Sequence, residues 1–177
     1  MTPNQQKTKQ PIVLDACCGS RMFWFDRKDP RTLFVDIRRE TVKAADCNVK
    51  NGEREIVVDP DLLADFSNLP LPDNSFAHVV FDPPHIARSG DTSWLLKKYG
   101  ALRGNWKEMI RLGFAECFRV LKTDGTLIFK WNETDFPLSE ILKLTPQKPL
   151  YGHRTGRQAK THWVAFIKQE DPLHDIW

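Results

Sequence analysis

The sequence lacks the features that mark several common classes of protein. Its four cysteines form no CxxC pair and have no histidine spacing suited to zinc. No apolar run approaches the roughly 18 residues of a membrane helix, and the polar start MTPNQQKTKQ has no signal core. We therefore expect reduced thiols, no metal, no membrane association and a cytoplasmic location.

Phosphate-binding loops are missing as well. Neither GxGxxG nor GxxxxGKS/T occurs, which argues against a nucleoside diphosphate ligand. The net charge is only +3, so charge alone does not indicate a polyanionic partner. A length of 177 residues suits a single domain with its own core. We expect a loose tail over residues 1–10 and one domain over residues 11–177.

Several short apolar runs predict buried strands. They are, in chain order, PIVLDACCG, TLFVDIR, EIVVD, FAHVVFD and TLIFKW, followed by a hairpin of PLYGH and THWVAFIK joined by the basic loop RTGRQAK. Apolar residues at helical spacing predict a helix in NWKEMIRLGFAECFRVLK, and Pro137 is suited to start another in PLSEILKLT. ETVKAADC is predicted as a short helix, and SRMFWFDRKDP has room for two helical turns before Pro30.

The alternation of strands and helices predicts an α/β fold. Because each strand is a continuous apolar run, we expect a mostly parallel sheet with helices on both faces and a C-terminal antiparallel hairpin. Three strands end in acids, namely Asp15, Asp36 and Asp82. Ligands of such sheets bind beyond the carboxyl ends of the strands. The three carboxylates are therefore expected to meet at one edge and form a site there.

The stretch VVFDPPHIARSG contains the most specific motif in the chain. Proline cannot donate to a sheet ladder, so the strand must stop at Phe81 or Asp82. The small-residue turn DACCGS after the first strand lets the backbone approach a ligand closely. About twenty residues later, Asp36 either accepts hydrogen bonds from two ribose hydroxyls or caps the next turn.

These motifs resemble those of the class I S-adenosylmethionine-dependent methyltransferases, in the branch that modifies exocyclic amines of nucleobases. The resemblance extends from Ile12 to about Lys168. It implies a Rossmann-like fold and S-adenosylmethionine as the cofactor. VLDACCGS resembles the first motif, which wraps the methionine part of the cofactor. The residues implied there are Asp15, Ala16, Cys17 and Gly19.

Two further stretches resemble parts of the cofactor site. FVDI resembles the second-strand motif whose acid binds the ribose, which implies roles for Asp36 and Ile37. ADFSNLPLPDNSF resembles the stretch whose acid contacts the adenine amino group. By that likeness Asp65 is the acid and Phe66 contacts the adenine ring, with Asp59 as the alternative acid.

FDPPH resembles the Asn/Asp/Ser-Pro-Pro-aromatic signature of this branch, which implies a catalytic set of Asp82, Pro83, Pro84 and His85. An aromatic amine is a poor nucleophile because its lone pair is delocalised into the ring. The Asp82 side chain and the Pro83 carbonyl would each accept one amine hydrogen and localise the lone pair toward the methyl donor. The prolines hold both acceptors rigid, so catalysis is mainly orientation and electrostatics.

The chain departs from the family pattern at several positions. His85 replaces the aromatic residue that stacks on the target base, which leaves the identity of that base open. Arg21 replaces the last glycine of the first motif, and Ala16 and Cys17 replace its Pro-Phe pair. Cys17 and Cys18 are interpreted as small packing residues in preference to redox groups.

Two basic segments are candidates for contact with a nucleic acid. The first, HIARSGDTSWLLKKYGALRGNW, interleaves cations with aromatic rings, namely Arg88, Lys97, Lys98 and Arg103 with Trp94, Tyr99 and Trp106. It is either a lid over the substrate or an amphipathic helix with a solvated face. The second is the final hairpin, with Lys148, Arg154, Arg157 and Lys160. His153 and His162 lie beside these residues, but amine methylation requires no dedicated base.

The first hypothesis for function is DNA methylation at adenine N6 by a nucleic-acid-binding transferase. The alternatives are methylation of an RNA base, at adenine N6 or guanine N2, methylation of a protein glutamine, and a catalytically silent subunit that binds nucleic acid or a partner. We expect no separate target-recognition region beyond the twenty-odd residues after His85 and the final hairpin. The chain is therefore expected to read a short or structured target, to form a homodimer, or to depend on a partner subunit.

Overall fold

The computed structural model describes residues 10–45, 50, 52–86, 102, 104–154 and 160–169. The strands are β1 (Val13–Asp15), β2 (Thr32–Asp36), β3 (Glu40–Ala45), β4 (Glu53–Val58), β5 (Leu62–Leu63), β6 (Phe76–Phe81), β7 (Leu121–Asn132), β8 (Tyr151–Arg154) and β9 (Thr161–Ile167). The helices are α1 (Trp106–Val120) and α2 (Leu138–Ile141), and a 3₁₀ turn over Leu142–Leu144 continues α2. No helix among these residues has the length and apolar character needed to cross a membrane.

Seven strands form one sheet in the order β5-β2-β1-β6-β7-β9-β8. Neighbouring strands from β5 to β7 are parallel, whereas β9 is antiparallel to both β7 and β8. The predicted parallel sheet and C-terminal hairpin are therefore confirmed. The strand order reverses at β1, because the chain continues to β2 on one side and later to β6 on the other. Such a switch point is where open α/β sheets bind their ligands.

Helix α1 packs on one face of the sheet. Buried side chains of the helix and the sheet form a single cluster that includes Ile110, Phe114, Phe81 and Phe129. Gly113 permits the close approach, since a Cβ atom at this position would lie 2.6 Å from the Phe81 ring. Helix α2 joins the same cluster through Ile141. This packing holds β6 and β7 side by side beneath the helices.

The segment 16–31 covers part of the opposite face, and it runs in turns without forming a helix. Its two adjacent aromatic rings, Phe23 and Trp24, have centroids 5.9 Å apart. Phe23 meets Trp163 of β9 edge-on at 5.5 Å, and Trp24 meets Phe34 of β2 at 5.0 Å. Aromatic contacts thus replace the two helical turns for which the sequence had room.

The stretch ETVKAADC was predicted as a helix, and this prediction is wrong. Its first six residues form β3, which pairs antiparallel with β4 in a two-stranded sheet. Ile56 and Val58 of β4 are buried while Val57 between them is exposed, the alternation of a half-buried strand. Val42 of β3 packs against this pair. The helix propensity of a short segment is therefore overridden by pairing with its neighbour.

The prediction that EIVVD forms a strand of the main sheet also needs correction. EIVVD lies in β4 and belongs to the hairpin with β3. The strand that pairs with β2 in parallel is the two-residue β5, with Asp36 opposite Leu63. The apolar run of β4 drew the strand assignment because it is longer than the two leucines of β5.

Arg21 occupies the position where the motif has a glycine, and its backbone adopts a conformation typical of glycine. Its φ of 54° lies in the left-handed region that glycine favours. The guanidinium donates hydrogen bonds to the carbonyl oxygens of Arg27 and Asp59, both at 2.6 Å. It also forms an ion pair with Asp61 at 3.1 Å and lies 3.9 Å above the Phe34 ring. Arg21 therefore ties segment 16–31 to the connection between β4 and β5.

Replacement of Arg21 separates these side-chain contacts from the backbone strain. Arg21→Ala and Arg21→Gly both remove the guanidinium, but only glycine tolerates the positive φ without cost. We expect both variants to be less stable than the wild type, and Arg21→Ala to be less stable than Arg21→Gly by about 1 kcal/mol. Urea unfolding followed by circular dichroism measures the difference. Equal stability of the two variants would show that the backbone at this position is unstrained.

Candidate active site

A cavity of about 260 Å³ opens at the carboxyl ends of β1, β2, β6 and β7. It is lined by Cys17, Cys18, Gly19, Ser20, Met22, Phe23, Asp36, Arg38, Asp82 and Lys130. The strand ends therefore bring Asp36 and Asp82 together at one edge, as the sequence predicted. Asp15 lies close by and is fully buried. The site combines three carboxylates with two cations and the small residues of the first loop.

Asp36 connects the second strand to the first loop. One carboxylate oxygen accepts a hydrogen bond from the backbone N–H of Gly19 at 2.8 Å, and the other accepts one from that of Arg38 at 2.9 Å. Only 2% of the residue is exposed, so its orientation is fixed. Each ionised carboxylate oxygen accepts up to two hydrogen bonds. Arg38 Nε also lies 3.4 Å from Oδ1, so Asp36 keeps acceptor capacity mainly at Oδ2, where a hydroxyl of a ribose could donate.

Asp15 is held beneath the cavity by Trp24 and by its own turn. The indole N–H of Trp24 donates to one carboxylate oxygen at 2.7 Å, and the backbone N–H of Cys17 reaches the other at 3.3 Å. Burial raises the pKa of Asp15 to about 7, and the negative charge of Asp82 adds to this effect, while the Trp24 hydrogen bond opposes it. Such a carboxylate would be stabilised by a cationic ligand.

Asp82 ends β6 beside Lys130 of β7. The Lys130 ammonium donates to Asp82 Oδ2 at 2.5 Å, and both side chains are largely buried. The ammonium also lies 5.2 Å from the Phe23 ring centroid and 5.6 Å from that of Trp163. Burial raises the pKa of Asp82, whereas the Lys130 charge and hydrogen bond lower it. Lys130 therefore favours the ionised carboxylate and fixes one of its two oxygens.

Three residues of the expected catalytic set follow Asp82. Pro83 is buried and Pro84 is partly buried. The His85 ring meets Trp131 edge-on, at 6.2 Å and 71°, and burial lowers the pKa of the imidazole. Phe23 is the aromatic side chain among the described residues that lines the cavity.

The cysteines of the first loop are protonated thiols. Burial raises the pKa of Cys18 to about 12 and that of Cys17 well above its ordinary value, with the neighbouring carboxylates adding to both shifts. A thiol is nucleophilic only as the thiolate. This favours the interpretation of both residues as packing groups.

The residues expected around an adenine ring lie beside β2 and β5. Asp65 follows β5, and its Oδ1 accepts hydrogen bonds from the Ser67 backbone N–H and hydroxyl, both at 2.8 Å. Asp59 follows the β3–β4 hairpin, and its side chain is 74% exposed next to Arg39. These positions favour Asp65 over Asp59 as the acid beside the adenine ring, because Asp65 follows a strand of the parallel sheet.

Two apolar side chains near this point are exposed to different degrees. Ile37 directly follows Asp36 and is 60% exposed, whereas Phe66 is 6% exposed. The Phe66 ring packs against Phe81 at 5.2 Å, within the core and outside the cavity lining. Ile37 is therefore available to a ligand, and the Phe66 side chain is committed to the core.

Most of the predicted lid lies outside the described residues, as do Arg88, Trp94, Lys97, Lys98, Tyr99, Arg103 and Arg157. Trp106 is described, and it stacks on Phe136 at 4.1 Å instead of facing a substrate. Within the described ranges, no group of three or more histidine, cysteine, aspartate or glutamate side chains could hold a metal ion.

Sequence reasoning missed Lys130, Trp24 and Arg38. Lys130 carried a usable signal, since it is a single cation inside the apolar run TLIFKW. Its partner Asp82 is 48 positions away, however, and only the pairing of β6 with β7 brings them together. Trp24 gave no signal of its own, because its role depends on the turns of segment 16–31.

Comparison with known proteins identifies the fold as that of the class I S-adenosylmethionine-dependent methyltransferases. A methyltransferase of this type from Methanosarcina mazei superposes with a TM-score of 0.52 at 14% identity, covering 97% of this chain and 99% of that one. A Haloferax volcanii methyltransferase, solved in complex with the Trm112 methyltransferase activator, has a TM-score of 0.53 at 14% identity, covering 94% and 86%. No family model matches the chain.

One curated protein provides a similarity in sequence. It is a 25S rRNA (adenine-N(1))-methyltransferase of Chaetomium thermophilum, 27% identical over 170 residues. The alignment covers 96% of this chain but 24% of that protein. The chain thus spans about a quarter of the relative it matches.

The raised pKa of Asp15 predicts a particular dependence of stability on pH. Between the ordinary pKa of 3.8 and about 7, the folded chain keeps the Asp15 proton that the unfolded chain has lost. Stability must therefore fall as pH rises through this window and level off above it. Asp15→Asn should weaken the decline in the urea-derived free energy of unfolding between pH 5 and 7, whereas Asp124→Asn at an exposed carboxyl should not. An unchanged slope in Asp15→Asn would contradict the assignment.

The contact between Lys130 and Asp82 predicts a titration that can be followed directly. Lys130→Met keeps the length of the side chain and removes its charge, so the pKa of Asp82 should rise further. Carboxyl ¹³C NMR against pH measures this, with the Asp82 signal assigned by its loss in Asp82→Asn. Lys122→Met, an exposed lysine on the same strand, is the matched control. An unaltered Asp82 titration in Lys130→Met would show that the two charges are not coupled.

Proposed function

We propose that this chain is the catalytic domain of an S-adenosylmethionine-dependent methyltransferase that modifies adenine in RNA, with the exocyclic N6 amine as the acceptor. The observation that supports this most strongly is the placement of Asp82. Its carboxylate faces a cavity at the switch point of the sheet and shares that cavity with Asp36. This shared lining supports the proposal that Asp36 binds a hydroxyl and Asp82 binds an amine in one cavity.

The residues present fit the cofactor in several respects. Asp36 retains acceptor capacity for a ribose hydroxyl, and exposed Ile37 offers an apolar surface for the adenine ring. Leu63 lies opposite Asp36 in β5 and is 53% exposed, which extends that surface. The cofactor carries an ammonium and a sulfonium, and burial raises the pKa values of Asp15 and Asp82, so a cationic ligand would stabilise both carboxylates in their ionised form.

When bound, S-adenosylmethionine supplies an electrophilic methyl group on its sulfonium. The chain itself contributes orientation. Lys130 holds Asp82 Oδ2, so Oδ1 and the second lone pair of the Pro83 carbonyl, whose first is engaged by His85, would accept the two hydrogens of an aromatic amine. Accepting both hydrogens turns the nitrogen lone pair out of conjugation and aims it at the methyl group. Because an ionised carboxylate is required, Lys130→Met should also move the pH dependence of methyl transfer to higher pH.

RNA is preferred over the DNA that the motif first indicated. The relative with similar sequence acts, by its name, on adenine in rRNA. A loop or single strand also presents its bases without the cost of flipping them out of a duplex. One structural neighbour was solved with an activator protein, which supports the proposal that a partner subunit supplies part of the target recognition.

Adenine N1 is the second candidate acceptor, favoured by the activity named for the relative. The N1 lone pair lies in the plane of the ring and needs no acceptor to expose it. In that reaction Asp82 would accept only a hydrogen of the neighbouring N6 amine. The two candidates therefore predict different products from one arrangement of residues.

The test is transfer of a labelled methyl group from S-adenosylmethionine to separate pools of RNA and DNA, followed by nucleoside mass spectrometry. N6-methyladenosine in the RNA pool alone is the expected result. N1-methyladenosine would select the second candidate, and methylation of DNA alone would overturn the choice of RNA. Absence of both transfer and thermal stabilisation by the cofactor would favour a catalytically silent subunit.

Two variants separate binding from transfer. Asp82→Ala should leave the dissociation constant of S-adenosylmethionine nearly unchanged and lower methyl transfer by about 100-fold or more. Asp36→Ala should weaken cofactor binding about tenfold, because it removes a charged acceptor. Isothermal titration calorimetry and single-turnover transfer measure the two quantities. If Asp82→Ala lost both equally, Asp82 would be a cofactor residue instead of an amine acceptor.

A further inference from the structure

A second concave surface, here called the hairpin groove, lies between α2 with its 3₁₀ turn and the final strands. Its volume is about 270 Å³, and it is lined by Leu138, Leu142, Pro149, Tyr151, Gly152, His153, Arg154, His162 and Val164. None of these residues lines the cavity of the candidate active site.

The floor of the hairpin groove is apolar and open. Leu138 and Leu142 come from the helical side, and Val164 comes from β9. Gly152 of β8 lies directly opposite Val164. A Cβ atom at Gly152 would lie 3.2 Å from the Trp163 backbone oxygen and 3.4 Å from the Val164 side chain, so the missing side chain keeps this part of the floor clear. A flat apolar group, such as a nucleobase, fits a surface of this kind.

The rim of the hairpin groove is cationic and already oriented. Arg154 donates to Glu133 Oε1 at 3.0 Å, and the imidazole Nε2 of His162 lies 3.0 Å from the same oxygen. The Arg154 side chain is 51% exposed, so about half of its surface is open to solvent beside the Glu133 contact. Glu133 thus holds Arg154 at the mouth of the groove in a geometry suited to a phosphate.

The hairpin groove and the active site are connected through two strands. Glu133 follows β7 and lies three positions after Lys130, a separation of about 10 Å along an extended chain. In β9, His162 faces the groove, while the next residue, Trp163, packs near the Lys130 ammonium. Neighbouring residues of a strand point to opposite faces. The two sites therefore share the same strand ends on opposite faces of the sheet.

We propose that the hairpin groove binds one nucleotide next to the target base in the same single strand, with its base on the apolar floor and its phosphate on Arg154. This rests on the proposed function and gives the domain a means of positioning its substrate. Charge favours this occupant, because Lys160 adds to Arg154 on the same hairpin and Glu133 is already paired. An acidic peptide would satisfy the rim but would leave the apolar floor unused.

Two variants test the base and the phosphate separately. Fluorescence anisotropy would measure binding of an adenine-rich single-stranded RNA of about 12 nucleotides between about 50 and 200 mM salt. Gly152→Val fills the floor without changing charge, so affinity should fall about fivefold or more while the salt slope stays the same. Arg154→Ala should lower both the affinity and the salt slope, the latter by about one.

Lys122→Ala is the matched control for charge, since Lys122 is exposed at the other end of β7. It should leave the salt slope almost unchanged. If Gly152→Val lowers the melting temperature, Leu138→Gln tests the same floor by making it polar. A DNA oligonucleotide of the same sequence distinguishes RNA from DNA as the ligand. We expect the RNA to bind more strongly.

Wild-type affinity in both Gly152→Val and Arg154→Ala would overturn the proposal, as would equal loss in Lys122→Ala. Binding that depends on the groove but yields no methylated nucleoside would contradict the proposed function and leave the groove assignment standing. Methylation of RNA together with full affinity in both variants would contradict the groove assignment and leave the proposed function standing.

Discussion

The arrangement of this site depends on a supply of donors for buried carboxylates. Asp15, Asp36 and Asp82 end three parallel strands, and parallel strands bring their carboxyl ends to one edge. Unpaired charges at that depth would cost several kcal/mol each. Each acid therefore has its own donor: the Trp24 indole, the Gly19 backbone and the Lys130 ammonium. The first loop, segment 16–31 and β7 are positioned by these contacts.

The two faces of the sheet are covered in different ways, and one of the donors, Trp24, belongs to the cover of one face. On one face, α1 and α2 pack into the main core. On the other, segment 16–31 is a series of turns held by Phe23, Trp24 and the guanidinium of Arg21. The turns of this segment place the Trp24 indole over Asp15. The β3–β4 hairpin forms part of the connection between β2 and β5. The methyltransferase fold is thus retained with short local substitutes.

The strands that end in acids were predictable, because continuous apolar runs followed by a polar turn are a local signal. The helix assigned to ETVKAADC was wrong because alanine and lysine favour helices, while pairing with β4 is a contact with a later segment. Lys130 was missed for the same physical reason, since its partner is distant in sequence. The position of Arg21 shows the reverse case, in which an apparent departure from a motif keeps the backbone conformation and adds new contacts.

The account treats the buried acids as the counter-charge of a cationic cofactor, and proton release on binding tests this most directly. Titration calorimetry of S-adenosylmethionine near pH 7, in buffers of different ionisation enthalpy, counts the protons exchanged. Because the pKa of Asp15 is about 7, the account predicts net release of protons as the cofactor's positive charge favours the carboxylate. The demethylated product, which lacks the sulfonium charge, should release fewer. Binding without proton release, or equal release for both ligands, would contradict the account.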